Sequence, residues 1–374
     1  MEEKSMMKLM NAVKPYLAMV SLQFGYAGMY VITKVALKHG MNHYVLAVYR
    51  HLVATLVIAP FAFFLERDAR PKMTLAIFLR IIALGFLEPV IDQNLYYQGM
   101  KYTSATLASA TANAVPAITF VLALIFRIES FNLKKIQSIA KVVGTVIMIP
   151  GAIIMTIYQG PAIFRGEKHH ADSGHSHVDK MQTHWVVGTV MLLARCWGWA
   201  GFSILQSVTL KQYPAELSLT TLICLTGTLG GAVVSFVAEP HLHPWKIGFG
   251  SGLLAAVYSG VVCSGIAYYI QGVVMKKRGP VFTTAFSPLG MIITAVISSI
   301  TLSESIGLGS VIGTLLIISG LYTVLWGKSK DQTESTAAID QRSIAQELPV
   351  TNTASSITSV MIDNDYVKKD VAES

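Results

Sequence analysis

The chain has 374 residues, 53% of them hydrophobic and only 13% charged, whereas an ordinary soluble protein carries about 25% charged residues. That deficit excludes a soluble globular protein and predicts an all-α integral membrane protein whose surroundings are a lipid bilayer. The formal net charge of +8 does not point to nucleic acid, because the basic residues are dispersed between apolar runs instead of clustered on a soluble face.

A helix needs about 20 residues to cross a hydrocarbon core of about 30 Å. Ten segments reach that length, at 15–36, 44–65, 75–98, 104–126, 135–157, 185–207, 216–238, 252–273, 281–301 and 307–327. The first follows Lys4, Lys8 and Lys14 and is longer than the core of a signal peptide, about 7–15 residues, so it is read as a retained span. With residues 1–14 in the cytoplasm, fifteen Lys and Arg residues fall on the inner side and six on the outer; the positive-inside rule then places both termini inside. Residues 158–184 become an extracellular loop with His169, His170, His175 and His177. These histidines lack the fixed scaffold of a metal site, and a solvated loop is expected. Residues 328–374 form a cytoplasmic tail rich in Ser, Thr, Asp, Glu and Lys, a composition that predicts disorder. Cys196, Cys224 and Cys263 all lie in apolar runs, as small buried hydrophobes and not as a disulfide framework.

The third segment holds the chemistry. Gly85 to Tyr97 reads GFLEPVIDQNLYY, an apolar run carrying two carboxyl groups, two amides, two phenols and a proline. A charge at the centre of a membrane helix costs on the order of 2.5–3.5 kcal/mol, so such residues face a protein interior or a wet cavity. Helical spacing puts Glu88, Asp92 and Tyr96 on one face, and Pro89 frees the carbonyl of Gly85. Glu88 and Asp92 could bind a substrate ammonium or carry a proton; alternatively they neutralise Arg50 and Arg195, which also lie in apolar runs. Arg50 could in turn receive a substrate carboxylate. Asn113 precedes Pro116, which breaks the fourth helix, and Thr284 and Ser287 flank a matching break at Pro288. Gln23 needs a polar partner in lipid. Trp199 and Tyr268, with Tyr26, Trp197, Tyr258 and Tyr269, could wall a cavity and offer cation–π contact.

The two halves repeat one another. Gly25-Tyr26-Ala27-Gly28 matches Gly198-Trp199-Ala200-Gly201, Tyr96-Tyr97 matches Tyr268-Tyr269, Pro116 matches Pro288, and Gly144-Thr145 matches Gly313-Thr314. Five spans per unit is an odd number, so 15–157 and 185–327 are predicted as inverted five-helix repeats, the plan of many secondary transporters. Leu22 to Gly28 (LQFGYAG), Val48-Tyr49-Arg50, Asp92 to Tyr97 (DQNLYY), Tyr213 to Ser218 (YPAELS), Gly279 to Phe282 (GPVF) and Gly320 to Lys330 (GLYTVLWGKSK) resemble the plant nodulin-like, walls-are-thin-related branch of the drug/metabolite transporter superfamily. The UmamiT amino-acid exporters belong to that branch. The resemblance covers about 15–330 and implies ten helices in two EamA-type repeats. It also implies bidirectional, uncoupled facilitated movement of amino acids, usually across the plasma membrane, with the vacuolar membrane as the alternative. Tyr158-Gln159-Gly160-Pro161 departs from the branch, which has a basic residue before that glycine. Auxin or another small metabolite, with or without proton coupling, is the alternative substrate. No Gly-x-Ser-x-Gly elbow, His-Glu-x-x-His helix or phosphate-binding Gly loop occurs, so neither an enzyme nor a cofactor or metal site is expected.

Overall fold

The computed structural model describes residues 2–68, 70–102, 111–112, 114–129, 135–157, 162–164, 178–241, 243–302 and 306–347. Its helices are α1 (Glu2–Lys38), α2 (His43–Leu65), α3 (Leu75–Gly85), α4 (Gln93–Tyr102), α5 (Val115–Ile125), α6 (Ile136–Ile157), α7 (Val178–Gln212) and α8 (Glu216–Ala238). They continue as α9 (Ser251–Tyr258), α10 (Ala267–Arg278), α11 (Pro280–Ala285), α12 (Ser287–Leu302) and α13 (Leu308–Glu347). A short antiparallel pairing joins Ala162–Phe164 to Ile306–Gly307. Six stretches among the described residues are long and apolar enough to cross a membrane: His43–Leu65, Val186–Gln212, Glu216–Ala238, Ser251–Arg278, Pro280–Ile297 and Val311–Lys330. Residues 104–110 and Asn113 of the expected span 104–126 lie outside the described set, as do the four loop histidines.

Helix ends follow local rules. Asn42 caps α2 by accepting the Tyr44 N–H at 2.8 Å, and Thr74 caps α3 by accepting from Ile77 at 3.3 Å. Gly279, at φ +85°, lets α10 stop and hand over to Pro280, a left-handed position that glycine adopts at little cost.

Two π-helical turns interrupt the bundle, Phe86–Asp92 between α3 and α4 and Ser259–Ile266 between α9 and α10. They begin 173 residues apart. Pro89 explains the first, since it lacks the N–H that an α-helical bond would need. The second has no proline and is not foreseen by the sequence reading. Each turn packs closely on a helix from the other half. Gly227 of α8 lies over Pro89 so closely that a methyl group there would strike the proline ring. A methyl on Gly260 would come within 2.6 Å of the Arg50 carbonyl on α2. Lipid tails are as apolar as leucine, so such close small-residue approaches are what holds membrane helices together.

The pair α2 and α8 runs antiparallel at the centre. Glu66, the C-cap of α2, accepts the N–H groups of Leu217 and Ser218 at the start of α8, at 2.8 and 2.7 Å. Glu239, the C-cap of α8, accepts at 3.1 Å from Asn42, the residue that caps α2. Each helix thus ends in a carboxylate set against the first turn of its neighbour, where the helix dipole favours negative charge. Glu66 and Glu239 are also 173 residues apart. Large apolar side chains such as Phe63, Phe64, Leu229 and Val237 point outward, as a lipid-facing surface requires. Trp197 joins them at 53% exposure, so it faces away from the interior it was expected to wall.

The chain divides into compact units Met1–Gly327 and Lys328–Ser374. The described part of the second, 328–347, is helical, where disorder is expected from composition. Ala337, Ala338 and Ala345 with Gln341, Gln346 and Glu347 are good helix formers, and propensity outweighs the lack of apolar residues.

Candidate functional site

Arg50 and His51 enter the interior together from the middle of α2, 7% and 1% exposed. The Arg50 Nε donates to Ser264 Oγ in the second π turn at 2.6 Å. His51 Nδ1 lies 2.8 Å from the Ala47 carbonyl one turn back. A carbonyl only accepts, which assigns the hydrogen to Nδ1 and leaves Nε2 facing across the bundle. It faces Glu88 Oε2 at 3.7 Å.

Glu88 is 2% exposed on the first π turn. Its Oε1 accepts from Gln93 Nε2 at 3.0 Å, five residues on, and the Gln93 backbone N–H bonds to the Glu88 carbonyl. An α-helix would carry i and i+5 to different faces, while a π turn closes that interval. The widened turn therefore gives Glu88 an amide partner that i, i+4 spacing does not offer. Tyr268 of α10 neighbours the same carboxylate from the other half. His51 Nε2, Glu88 Oε2 and the Tyr268 hydroxyl are all buried, neighbour one another, and none reaches a partner at full hydrogen-bond geometry.

Asp92 has a different arrangement. Arg195 of α7 holds it at 3.2 Å, and the same guanidinium sits 4.7 Å over the ring of Tyr96, a cation–π contact. Tyr96 also neighbours Tyr97 at 5.3 Å and Tyr30 at 6.4 Å. Asp92 and Arg195 thus form the pair weighed as a structural alternative for them. Glu88, by contrast, makes no ion pair with Arg50; its partner is His51.

The remaining expected residues are less central. Trp199 lies 5.8 Å from Phe202, which lies 5.8 Å from Tyr268, an aromatic row leading towards Glu88. Gln23 on α1 packs against Gly290 of α12, where an added methyl would strike its amide oxygen. The Thr284 hydroxyl donates within its own helix to the Pro280 carbonyl at 3.0 Å, and Ser287 opens α12 half-buried. Pro116 and Pro288 are buried at the starts of α5 and α12, just after non-helical residues Ala114 and Phe286. Sequence reasoning missed His51, Gln93 and Ser264. The signal for His51 was present, an imidazole beside Arg50 inside an apolar run.

The fold and these partners frame the comparison with known proteins. The EamA-like transporter family matches residues 13–157 and again 186–326. The chain belongs to the EamA-like transporter family. WAT1-related protein At1g21890 of Arabidopsis thaliana is 66% identical, over 87% of this chain and 86% of the relative. WAT1-related protein At1g44800 of the same plant is 59% identical over 92% and 93%, and At4g08300 is 56% identical over 93% and 94%. A crystal structure of a protein 14% identical shares the fold at TM-score 0.64, over 86% of this chain and 98% of that one. This EamA-like transporter is therefore a multi-pass membrane protein acting on small molecules, and not an enzyme.

Proposed function

We propose that this transporter moves amino acids in either direction by alternating access between two inverted five-helix repeats, 15–157 and 185–327. The observation that carries the proposal is the convergence of three orphaned polar atoms, His51 Nε2, Glu88 Oε2 and the Tyr268 hydroxyl, from both family-matched stretches. An unsatisfied polar group away from water costs several kcal/mol, so a buried cluster of them is sustained where a ligand completes it. An ammonium supplies the missing donors for Glu88 and His51, and the ring of Tyr268 offers it a π face. Arg50, held through Nε by Ser264, presents its terminal nitrogens to the substrate carboxylate. A zwitterion thus finds opposite charges on residues of both halves. Thr284 and Ser287 beside the break at Pro288, and Gln23 beside Gly290, line the path, and Asn113 is assigned to it from its place before Pro116 in the sequence.

The inverted-repeat reading is supported by three features recurring at nearly one interval: the π turns, the breaks before Pro116 and Pro288, and the capping glutamates Glu66 and Glu239. Arg70, Arg80 and Lys276 lie at the bundle end that holds Glu66 and Glu216, which we take as cytoplasmic, with both termini inside and the plasma membrane as the site of action.

The aromatic row of Trp199, Phe202 and Tyr268 favours a second reading, auxin, whose indole plane would stack there and whose carboxylate would use Arg50. Auxin has no ammonium for Glu88. Flux of radiolabelled amino acids and auxin into proteoliposomes, for the natural chain and Glu88→Gln, separates the two. Loss of amino-acid flux in the variant supports the first reading. Auxin flux indifferent to Glu88→Gln, with no amino-acid flux in the natural chain, supports the second.

A further inference from the structure

The amino-acid reading leaves open what occupies the Glu88 carboxylate when no substrate is bound, and the geometry of His51 answers it. The bond from Nδ1 to the Ala47 carbonyl at 2.8 Å keeps a hydrogen on that nitrogen in every charge state. A bare Nε2 lone pair would then face an ionised carboxylate oxygen at 3.7 Å, two acceptors opposed in a site where His51 and Glu88 are 1% and 2% exposed. One proton, carried on either atom, turns that opposition into an attraction. We infer that His51 and Glu88 hold one proton between them in the substrate-free protein, and that a substrate ammonium displaces it, so that one proton crosses against each amino acid. This rests on the amino-acid reading and departs from the uncoupled movement that the family resemblance implies.

The exchange balances. The ammonium donates one N–H to Glu88 Oε2 and one to His51 Nε2, the shared proton leaves to water on the open side, and a single positive charge replaces another. When the substrate leaves, a proton from the water on that side returns to the pair. No covalent bond changes and no further reactant is needed.

The groups around the pair do not compete for this role. Arg50 beside it is bound to Ser264, Gln93 bonds the other carboxylate oxygen, and Asp92 is held by Arg195 of α7. Tyr26 of α1, Cys224 of α8, Cys263 of the second π turn and Tyr268 of α10 complete the surroundings. Phenols and thiols are neutral at physiological pH unless a cation draws them down, and both arginines already have anionic or hydroxyl partners.

The test uses the full chain in proteoliposomes with radiolabelled L-alanine and a trapped pH-sensitive dye. KM for L-alanine should rise as pH falls, by up to about tenfold per unit, because proton and ammonium compete for the same two atoms. Efflux of L-alanine should acidify the vesicle interior. In His51→Gln the amide donates to Glu88 without a titrating proton, and the pH profile of KM should flatten. Should that variant fail to fold, the dye trace of the natural chain decides alone. Saturable L-alanine flux with constant KM and a silent dye overturns the proton pair and leaves the amino-acid reading intact. No L-alanine flux at any pH overturns both.

Discussion

Glu88 and Asp92 lie four residues apart on one turn of chain, yet their environments give them different work. Asp92 is paired with the Arg195 guanidinium at 3.2 Å, whereas Glu88 faces only the His51 imidazole at 3.7 Å and the Gln93 amide at 3.0 Å. Removing one partner of a buried ion pair strands the other, at about 3–5 kcal/mol. Arg195→Ala should therefore lower the thermal unfolding midpoint sharply in detergent, and the double change Asp92→Asn with Arg195→Gln should recover most of it. Glu88→Gln is isosteric and should leave the midpoint nearly unmoved while cutting amino-acid flux at least about tenfold, a loss of about 1.4 kcal/mol in binding. An equal loss of folding and flux in both would make the two carboxylates equivalent. At this scale the charged residues were legible because lipid makes them costly, which singles out Glu88, Asp92, Arg50 and Arg195 in the sequence. His51 and Gln93 were not, since their role depends on a partner across the bundle and on a turn with an unusual residue count.

The first π turn is the element that assembles the site, and Pro89 is its local cause. Replacing Pro89 with alanine restores a backbone donor and permits α-helical register, which rotates Gln93 away from Glu88. The expected result is reduced flux at unchanged helix content, measured by circular dichroism alongside transport; full flux would mean that the turn is fixed by packing alone. Gly227→Ala should be worse for folding, because its methyl strikes the Pro89 ring, and overpacking costs about 1–3 kcal/mol; a thermal melt reads that directly. The limits of α2 and α8 were legible to within a residue, since Asn42 and the Tyr213-Pro214 step punctuate the apolar pattern. The turn at Ser259–Ile266 was hidden because no proline marks it, and the helix through 328–347 because composition speaks of burial rather than of backbone preference.

Across the whole molecule, α2 and α8 form an axial pair fastened at both ends by Glu66 and Glu239. Glu66 accepts two backbone N–H groups, so Glu66→Ala should destabilise more than Glu239→Ala, at about 1.5–3 kcal/mol for each charge-assisted bond lost. Equal and negligible shifts in the unfolding midpoint would show that the fastening is incidental. The paired motifs that suggest a repeat were legible in the sequence, and the family model matches two stretches, 13–157 and 186–326, but the reciprocal capping was not legible, because Glu66 and Glu239 lie outside every matched motif and their partners are remote in the chain. The central claim is that an amine-bearing substrate is held between the halves on the free oxygen of Glu88. Exchange of radiolabelled amino acids across proteoliposomes, compared between the natural chain and Glu88→Gln at matched protein content, tests it most directly. Saturable exchange that collapses in the variant is the predicted result, and exchange that continues undiminished would contradict it.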